Sequence, residues 1–126
     1  MDEELIEYKS SGGELLKSRD ITAAQLKEML IDENNFLLDV RGASELEEVG
    51  FINGSYNIAH TQLYNHIDEI PKDKRIIVHC HSGDRSKCAS SFLESRGFEA
   101  ANVAGGIVEW ITNGEKLVRK TEEVTQ

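Results

Sequence analysis

The stretch RIIVHCHSGDRSKC (residues 75–88) joins an apolar run to a polar segment that holds a glycine, an arginine and two cysteines. Its first part, RIIVHC (75–80), is short and mainly apolar, as expected of a strand buried on both faces of a sheet. The pattern that follows predicts a helix from about residue 84 to residue 96, and Gly97 is placed to end it. Cys80 therefore stands at the carboxyl end of a predicted strand, immediately before a strand-to-helix turn.

The same alternation of strands and helices continues on both sides of this stretch. Thr22 and Gln25 have the spacing of a capping box and predict the start of a helix. Ser44 and Glu47 repeat that spacing and predict the start of another. Right-handed crossovers between such elements produce a three-layer α/β/α fold with a mainly parallel sheet, and ligands bind beyond the carboxyl ends of its strands. The other predicted strands are NFLLDV (35–40), YNIA (56–59) and AANVAG (100–105).

The composition limits the size and the partners of the protein. A chain of 126 residues that is 39% hydrophobic can bury the core of one domain but is too short for two of ordinary size. Its net charge of −9 disfavours binding to nucleic acid and to anionic membrane surfaces. We find no secretory signal and no apolar run of the ~20 residues that span a bilayer, so we expect a cytoplasmic protein. Part of the acidic excess, Glu45, Glu47 and Glu48, is predicted to form a solvated helix face.

A similarity within the chain bears on the domain boundaries. IEYKSSGGELLK (6–17) matches VEWITNGEKLVR (108–119) in its leading residues, its glycine and a later leucine. If the match is a true repeat, residues 1–19 are the tail of an upstream sister domain; otherwise they are an independent acidic extension. In both cases we expect residues 20–120 to form the folded domain and residues 121–126 a C-terminal tail.

A metal site and a disulfide are both poor explanations of Cys80. In an extended segment His79 and His81 point to one side and Cys80 to the other, and no second pair of ligands has a metal-binding spacing. The cytosol keeps thiols reduced, so two cysteines do not indicate a disulfide scaffold. Cys88, which lies four residues before Phe92 on the predicted apolar face of the helix, is expected to be a buried, inert thiol. The alternative is a resolving cysteine that pairs with Cys80 during a redox cycle.

The remaining explanation is a nucleophile. The segment CHSGDRS (80–86) turns from strand to helix through Gly83, so that successive backbone N–H groups can point inward and form an anion cradle. The same donors would stabilise a thiolate at Cys80 and lower its pKa. Arg85 would add a permanent positive charge for an anionic substrate.

These residues resemble the active-site motifs of the rhodanese family. CHSGDRS is similar to the rhodanese loop C-x-x-G-x-R-(S/T), which it matches at Cys80, Gly83, Arg85 and Ser86. Three other segments resemble family motifs in the same order, so that the likeness covers about residues 20 to 114. They are LLDVRGASELEE (37–48), similar to L-D-V-R-x-x-x-E-(F/W/Y); GFINGSYNIA (50–59), similar to G-H-I-P-G-A-x-N-I-P; and GGIVEW (105–110), similar to G-G-(F/W/Y)-x-x-W.

The chain departs from these motifs outside the loop, and the loop itself has the family's length. Four residues separate Cys80 from Arg85. The resemblance implies that this length goes with sulfur transfer, whereas phosphatases and arsenate reductases of this fold have one residue more, to surround a tetrahedral phosphate. The departures are Leu46 for an aromatic residue, Phe51 for histidine, Asn53 for proline and Ser55 for alanine.

The resemblance implies a sulfurtransferase that needs no cofactor or metal. Cys80 would take sulfur from a small anionic donor, thiosulfate or a low-molecular-weight persulfide, and pass it to a thiophilic acceptor such as cyanide, sulfite or a thiol. The rival interpretation is a binding or regulatory module that keeps the fold and acts through protein contacts. The predicted site residues are the nucleophile Cys80; the substrate-binding residues His81, Ser82, Gly83, Asp84, Arg85 and Ser86; and the supporting residues Asp39 and Arg41.

Some residues receive narrower expectations. The resemblance implies that Asp39 and Arg41 belong to a buried polar network beneath the loop. Ser86 should cap the following helix or, alternatively, bond to the persulfide, and Trp110 should pack in the core. The segment LDVRGASE also resembles the rhodanese domains attached to metallo-β-lactamase-like persulfide dioxygenases, which may carry two rhodanese repeats. An upstream rhodanese repeat or dioxygenase domain in a longer protein is therefore an open alternative.

Overall fold

The computed structural model describes residues 19–119, which form a parallel sheet with helices on both of its faces. The strands are β1 (Asp20–Ile21), β2 (Asn35–Asp39), β3 (Tyr56–Asn57), β4 (Arg75–His79) and β5 (Glu99–Val103). The helices are α1 (Ala23–Met29), α2 (Ala43–Val49), α3 (Asp84–Ser95) and α4 (Gly106–Thr112), with 3-10 turns at His60–Gln62 and Tyr64–Glu69. The strand order is β1-β5-β4-β2-β3, and every neighbouring pair is parallel. The predicted α/β/α fold with a parallel sheet is confirmed.

The strands β2, β4 and β5 form the centre of the core because their apolar side chains alternate between the two faces of the sheet. One face packs against α3 and the 3-10 turns, and the other packs against α1 and α4. The α3 face includes Leu38, Ile76, Val78, Ala89, Leu93 and Ala100, and the opposite face includes Leu26, Leu37, Ile77, Ala101, Ile107 and Trp110. Trp110 is 6% exposed, so its predicted packing in the core is confirmed.

The order of the strands creates a functional edge between β2 and β4. After β2 the chain moves outward to the edge strand β3, whereas after β4 it moves the other way, to β5. Neighbouring strands whose connections leave in opposite directions open a crevice at their carboxyl ends. Cys80 directly follows β4, and Arg41 follows β2 by two residues, so both lie at this edge.

The starts of two helices show what the capping patterns predicted correctly and what they did not. At α1 the Thr22 hydroxyl accepts a hydrogen bond from the Gln25 N–H at 3.1 Å, and the Gln25 side chain accepts one from the Thr22 N–H at 2.8 Å. That capping box is confirmed. The box predicted from Ser44 is wrong, because α2 begins at Ala43 and Glu45 Oε1 accepts from the Gly42 N–H at 3.0 Å. The carboxylate that accepts a hydrogen bond at the start of α2 is thus Glu45, two residues before the predicted Glu47.

The predicted strands end one or two residues too late, one of them also starts one residue too late, and β1 was not predicted. β1 has only Asp20 and Ile21, too short for a periodic signal, and pairing with β5 alone defines it. The first half of the internal match, residues 6–17, lies outside the described residues, as do most of the predicted extension and all of the predicted tail. Within residues 19–119, no helix is both long and apolar enough to cross a membrane.

Candidate active site

The thiol of Cys80 lies at the base of the turn that joins β4 to α3, called here the cysteine loop (residues 80–86). The N–H groups of Gly83 and Ser86 point at Cys80 Sγ from 3.2 and 3.4 Å. Gly83 adopts the left-handed conformation, with φ of 109°, and a Cβ on it would lie 2.1 Å from the Ala104 carbonyl oxygen. Only glycine fits this position, so the predicted inward turn of the backbone depends on Gly83.

The start of α4 holds the other side of the cysteine loop. The N–H groups of Ile107 and Val108 donate to the carbonyl oxygens of Cys80 and His81 at 3.0 and 3.1 Å. Gly106 permits this close approach, because a Cβ there would lie 2.4 Å from the His81 carbonyl oxygen. The carbonyl groups of the cysteine loop are thereby directed toward α4, while the N–H groups of the same loop remain directed at the thiol of Cys80. This contact gives the GGIVEW segment a physical role in the site.

The surroundings of Cys80 favour the thiolate. The residue is 1% exposed, and burial raises the pKa of the thiol. Hydrogen bonds from the Ser86 hydroxyl and from the N–H groups of Ser86, Gly83 and Ser82 outweigh burial, so that the pKa is lowered below its ordinary value of 9.0. The net effect is a more nucleophilic sulfur near neutral pH.

Ser86 serves the site from within α3 and not as its cap. Gly83 occupies the N-cap position, so the predicted capping role of Ser86 is wrong. The Ser86 hydroxyl lies 2.5 Å from Asn102 Oδ1 and 3.4 Å from Cys80 Sγ, and Asn102 in turn donates to Asp20 Oδ1 at 3.0 Å. Because one hydroxyl proton cannot serve all its acceptors, the backbone N–H groups are the dependable donors to the sulfur.

Arg85 is paired with a carboxylate from α2. Its Nη1 and Nη2 donate to Glu45 Oε1 and Oε2 at 2.6 and 2.9 Å. The hydrogen bond to Arg85 lowers the pKa of Glu45 to about 2, and the pKa of Arg85 is raised first by Glu45 and further by the Cys80 sulfur. The prediction that Glu45 belongs to a purely solvated face is therefore wrong. Its position in the L-D-V-R-x-x-x-E segment is the sequence signal that could have identified it.

Asp39 and Arg41 form the expected buried network beneath the loop. Both side chains have no exposure, and Arg41 Nη2 donates to Asp39 Oδ2 at 2.8 Å and to the Gly50 carbonyl oxygen at 2.9 Å. His79 is equally buried, with Nε2 3.7 Å from Asp39 Oδ2, and no ring nitrogen of it has a hydrogen-bond partner among residues 19–119. Burial, and then the charge of Arg41, lower the pKa of His79 despite the opposing effect of Asp39. The sequence did not predict that His79 is buried beside Asp39 and Arg41.

The remaining predicted residues lie at the surface of the site or away from it. His81, Ser82 and Asp84 are exposed, Asp84 as the first residue of α3. Cys88 is also exposed, so the prediction of a buried thiol is wrong. The buried face of α3 consists of Ser86, Ala89, Ser90 and Leu93, which turns Cys88 toward solvent. In the part of the chain that the structure describes, no three His, Cys, Asp or Glu side chains are grouped as metal ligands.

Comparison with known proteins places this geometry in a family. A model of the rhodanese-like domain matches residues 22–113. The chain is 33% identical over 96 residues to a putative sulfurtransferase, YtwF, of Bacillus subtilis, across 75% of this chain and 92% of that one. It is 31% identical over 101 residues to a sulfurtransferase of Allochromatium vinosum, across 79% of this chain and 94% of that one.

A solved structure agrees with these relatives. The crystal structure of a rhodanese-related protein from Thermoplasma volcanium matches with a TM-score of 0.73 at 37% identity, covering 79% of this chain and 97% of the other. The match of the family model, the identity to these relatives and the shared fold lead to one conclusion. The chain belongs to the rhodanese-like domain family.

Proposed function

We propose that the protein is a rhodanese-type sulfurtransferase in which Cys80 carries sulfur as a persulfide. One observation carries the proposal: a buried thiol with a lowered pKa at which the N–H groups of Gly83 and Ser86 converge. Such donors stabilise negative charge on sulfur before and after transfer. The names of the two bacterial relatives support sulfur transfer as the general reaction.

The first half-reaction loads Cys80. With thiosulfate, the Cys80 thiolate attacks the outer sulfur, the S–S bond of thiosulfate breaks, and its electron pair leaves with sulfite. With an organic hydropersulfide, the thiolate attacks the terminal sulfur and a thiolate leaves; the proton of the donor moves to that leaving thiolate. Both donors yield the same deprotonated Cys80 persulfide.

The second half-reaction removes the sulfur from the Cys80 persulfide. A thiophilic acceptor, such as cyanide, sulfite or a thiolate, attacks the outer sulfur of the Cys80 persulfide and breaks its S–S bond. The electron pair returns to Cys80 as a thiolate, and the acceptor leaves as thiocyanate, thiosulfate or a new persulfide. No external oxidant or reductant is required, because each step passes a sulfane sulfur from one nucleophile to another and the leaving group keeps the electron pair of the broken bond.

The cysteine loop supports both half-reactions in the same way. The terminal sulfur of the persulfide carries the negative charge that the thiolate carried, displaced outward by one S–S bond. The Gly83 and Ser86 N–H groups are fixed by the backbone, so they need no reorganisation as the charge moves. Arg85 and the exposed residues His81, Ser82 and Asp84 would contact the body of the donor.

Intact-protein mass spectrometry tests the proposal. The chain is exposed separately to thiosulfate and to glutathione persulfide, and Cys80→Ser is the test variant. Cys88→Ser is the matched control, because it removes the other thiol without touching the cysteine loop. We expect the gain of one sulfur atom in the wild-type chain and in Cys88→Ser, its loss in Cys80→Ser, and its removal by cyanide or sulfite.

The same experiment addresses the rival function, a binding or regulatory module. If neither donor adds sulfur to the wild-type chain, the catalytic proposal is wrong and a protein-contact role is favoured. A gain that persists in Cys80→Ser would assign the chemistry to another residue. Sulfur loading that depends on Cys80 would support the enzyme.

A further inference from the structure

The charge of Arg85 is neutralised where a donor must enter. The bidentate pair with Glu45 occupies both terminal nitrogens of the guanidinium at 2.6 and 2.9 Å. The two side chains are 31% and 32% exposed, so the pair lies at the surface of the site and not in the core. Glu45 is itself held in place, because its Oε1 also accepts a hydrogen bond from the Gly42 N–H at the start of α2.

Arg41 and Asp84, two other charged residues near the site, add no free positive charge to it. Arg41 is fully buried and bonded to Asp39, so its charge is compensated within the network. Asp84 is exposed on the cysteine loop and adds a negative charge. The chain as a whole carries −9. An anion therefore meets a site whose nearest paired charges, Arg85 and Glu45, cancel.

The two classes of donor differ in how much they need that charge. Thiosulfate is a dianion, and its sulfite leaving group keeps two charges on the sulfonate oxygens. A cation favours those oxygens, and to reach Arg85 they must compete with Glu45. An organic hydropersulfide loses a thiolate with a single charge, which the proton of the donor itself neutralises. Its transfer depends on the N–H groups of the cysteine loop and little on a free guanidinium.

We propose that Glu45 determines donor specificity, and that by pairing with Arg85 it directs the site toward organic persulfides and away from thiosulfate. This inference rests on the sulfurtransferase function proposed above. Glu45 acts through Arg85 and contacts no reacting atom.

Single-turnover loading of Cys80 tests the inference without involving an acceptor. Quenched samples are analysed by intact mass spectrometry across a range of concentrations of thiosulfate and of 2-hydroxyethyl persulfide, a donor with no charge outside its sulfurs. The test variant is Glu45→Gln, whose Oε1 can still accept from Gly42 and Arg85 while the negative charge is lost. The matched control is Glu48→Gln, the same change on the same helix away from the Arg85 contact.

We expect the wild-type chain to load more efficiently from the persulfide. In Glu45→Gln the efficiency with thiosulfate should rise about tenfold, through a lower half-saturating concentration and not a higher maximal rate, because one neutralising charge near the anion is removed. Loading by thiosulfate should also become more sensitive to salt, since a free charge is screened. Glu48→Gln should match the wild-type chain. The gain should vanish in the double variant Glu45→Gln/Arg85→Gln when it is compared with Arg85→Gln alone.

Other outcomes separate this inference from the proposed function. Cys80-dependent loading with an unchanged ratio of the two donors in Glu45→Gln would overturn the role of Glu45 alone. So would a gain that survives removal of Arg85, or a wild-type preference for thiosulfate. Failure of both donors to load the wild-type chain would overturn the sulfurtransferase function, and the inference with it.

Discussion

The substitution Asp39→Asn probes the network beneath the cysteine loop with almost no change of shape. The Asp39 carboxylate accepts from the Arg41 N–H at 3.0 Å, from Nε at 3.0 Å and from Nη2 at 2.8 Å. Asparagine keeps one carbonyl oxygen but places an NH₂ group where the second oxygen accepts. The guanidinium of Arg41, which has no exposure, is left as a buried charge without its counter-ion.

The size of the effect follows from this burial. Removing one partner of a fully buried ion pair costs about 3–5 kcal/mol, because the remaining charge stays out of water. Domains of this size are stable by roughly 5–15 kcal/mol in total. A loss of this size corresponds to a fall in Tm on the order of 10–20 °C. The Asp39→Asn variant should therefore have a lower free energy of unfolding than the wild-type chain, and sulfur loading at Cys80 should decrease in proportion to the folded fraction.

The assay is chemical denaturation followed by Trp110 fluorescence, with Glu99→Gln as the matched control. Glu99 pairs with Arg75 at 3.3 Å, but the two side chains are 39% and 36% exposed. The same change of carboxylate to amide should cost less than about 1 kcal/mol there, because water screens the pair. Equal losses in the two variants would refute the reasoning, since burial would then not determine the cost.

Three further predictions concern the loop and its surroundings. Gly83→Ala should abolish most sulfur loading and destabilise the fold by more than Gly54→Ala, which shares a positive φ but whose Cβ meets nothing within 4 Å. Because burial lowers the pKa of His79, unfolding should become easier by up to ~1.4 kcal/mol per pH unit as the pH falls below 6.5, and His79→Leu should remove this slope in denaturation curves. In Cys88→Ser, the rate of Cys80 alkylation by iodoacetamide should rise with a midpoint below pH 9.0; a midpoint at or above it would contradict thiolate stabilisation.

The direction of the His79 prediction follows from where the proton binds. The unfolded chain takes up a proton at its ordinary pKa of 6.5, while the buried ring takes it up only at a lower pH. Stability is therefore fully present above 6.5 and is lost as the pH falls. Carboxyl groups with lowered pKa values, Glu45 and Glu69, add their own losses only below their ordinary value of 4.5. A slope that already appears between pH 6.5 and pH 4.5 in the wild-type chain and is missing in His79→Leu therefore belongs to His79.

Local patterns in the sequence were sufficient for the parts of the structure that depend on neighbouring residues. The apolar runs before Asp39 and Cys80 predicted the central strands, because a strand buried on both faces has to be apolar along its length. The spacing of Thr22 and Gln25 predicted their capping box correctly, because both of its hydrogen bonds join residues within one helical turn. The turn at Gly83 directly after an apolar strand was enough to predict that backbone N–H groups point at Cys80.

Only the tertiary structure decided the contacts between segments that are distant in the chain. Glu45 meets Arg85 across 40 residues, and Asn102 links Ser86 to the edge strand β1. Cys88 is exposed because α3 buries a face that includes two serines, so hydrophobicity alone did not identify that face. The sequence by itself thus determined the fold class and the strand-to-helix turn that brings N–H groups to Cys80, because the causes of both are periodic and local. The structure decided which charges are free at the mouth of the site, because that depends on where α2 places a carboxylate relative to α3.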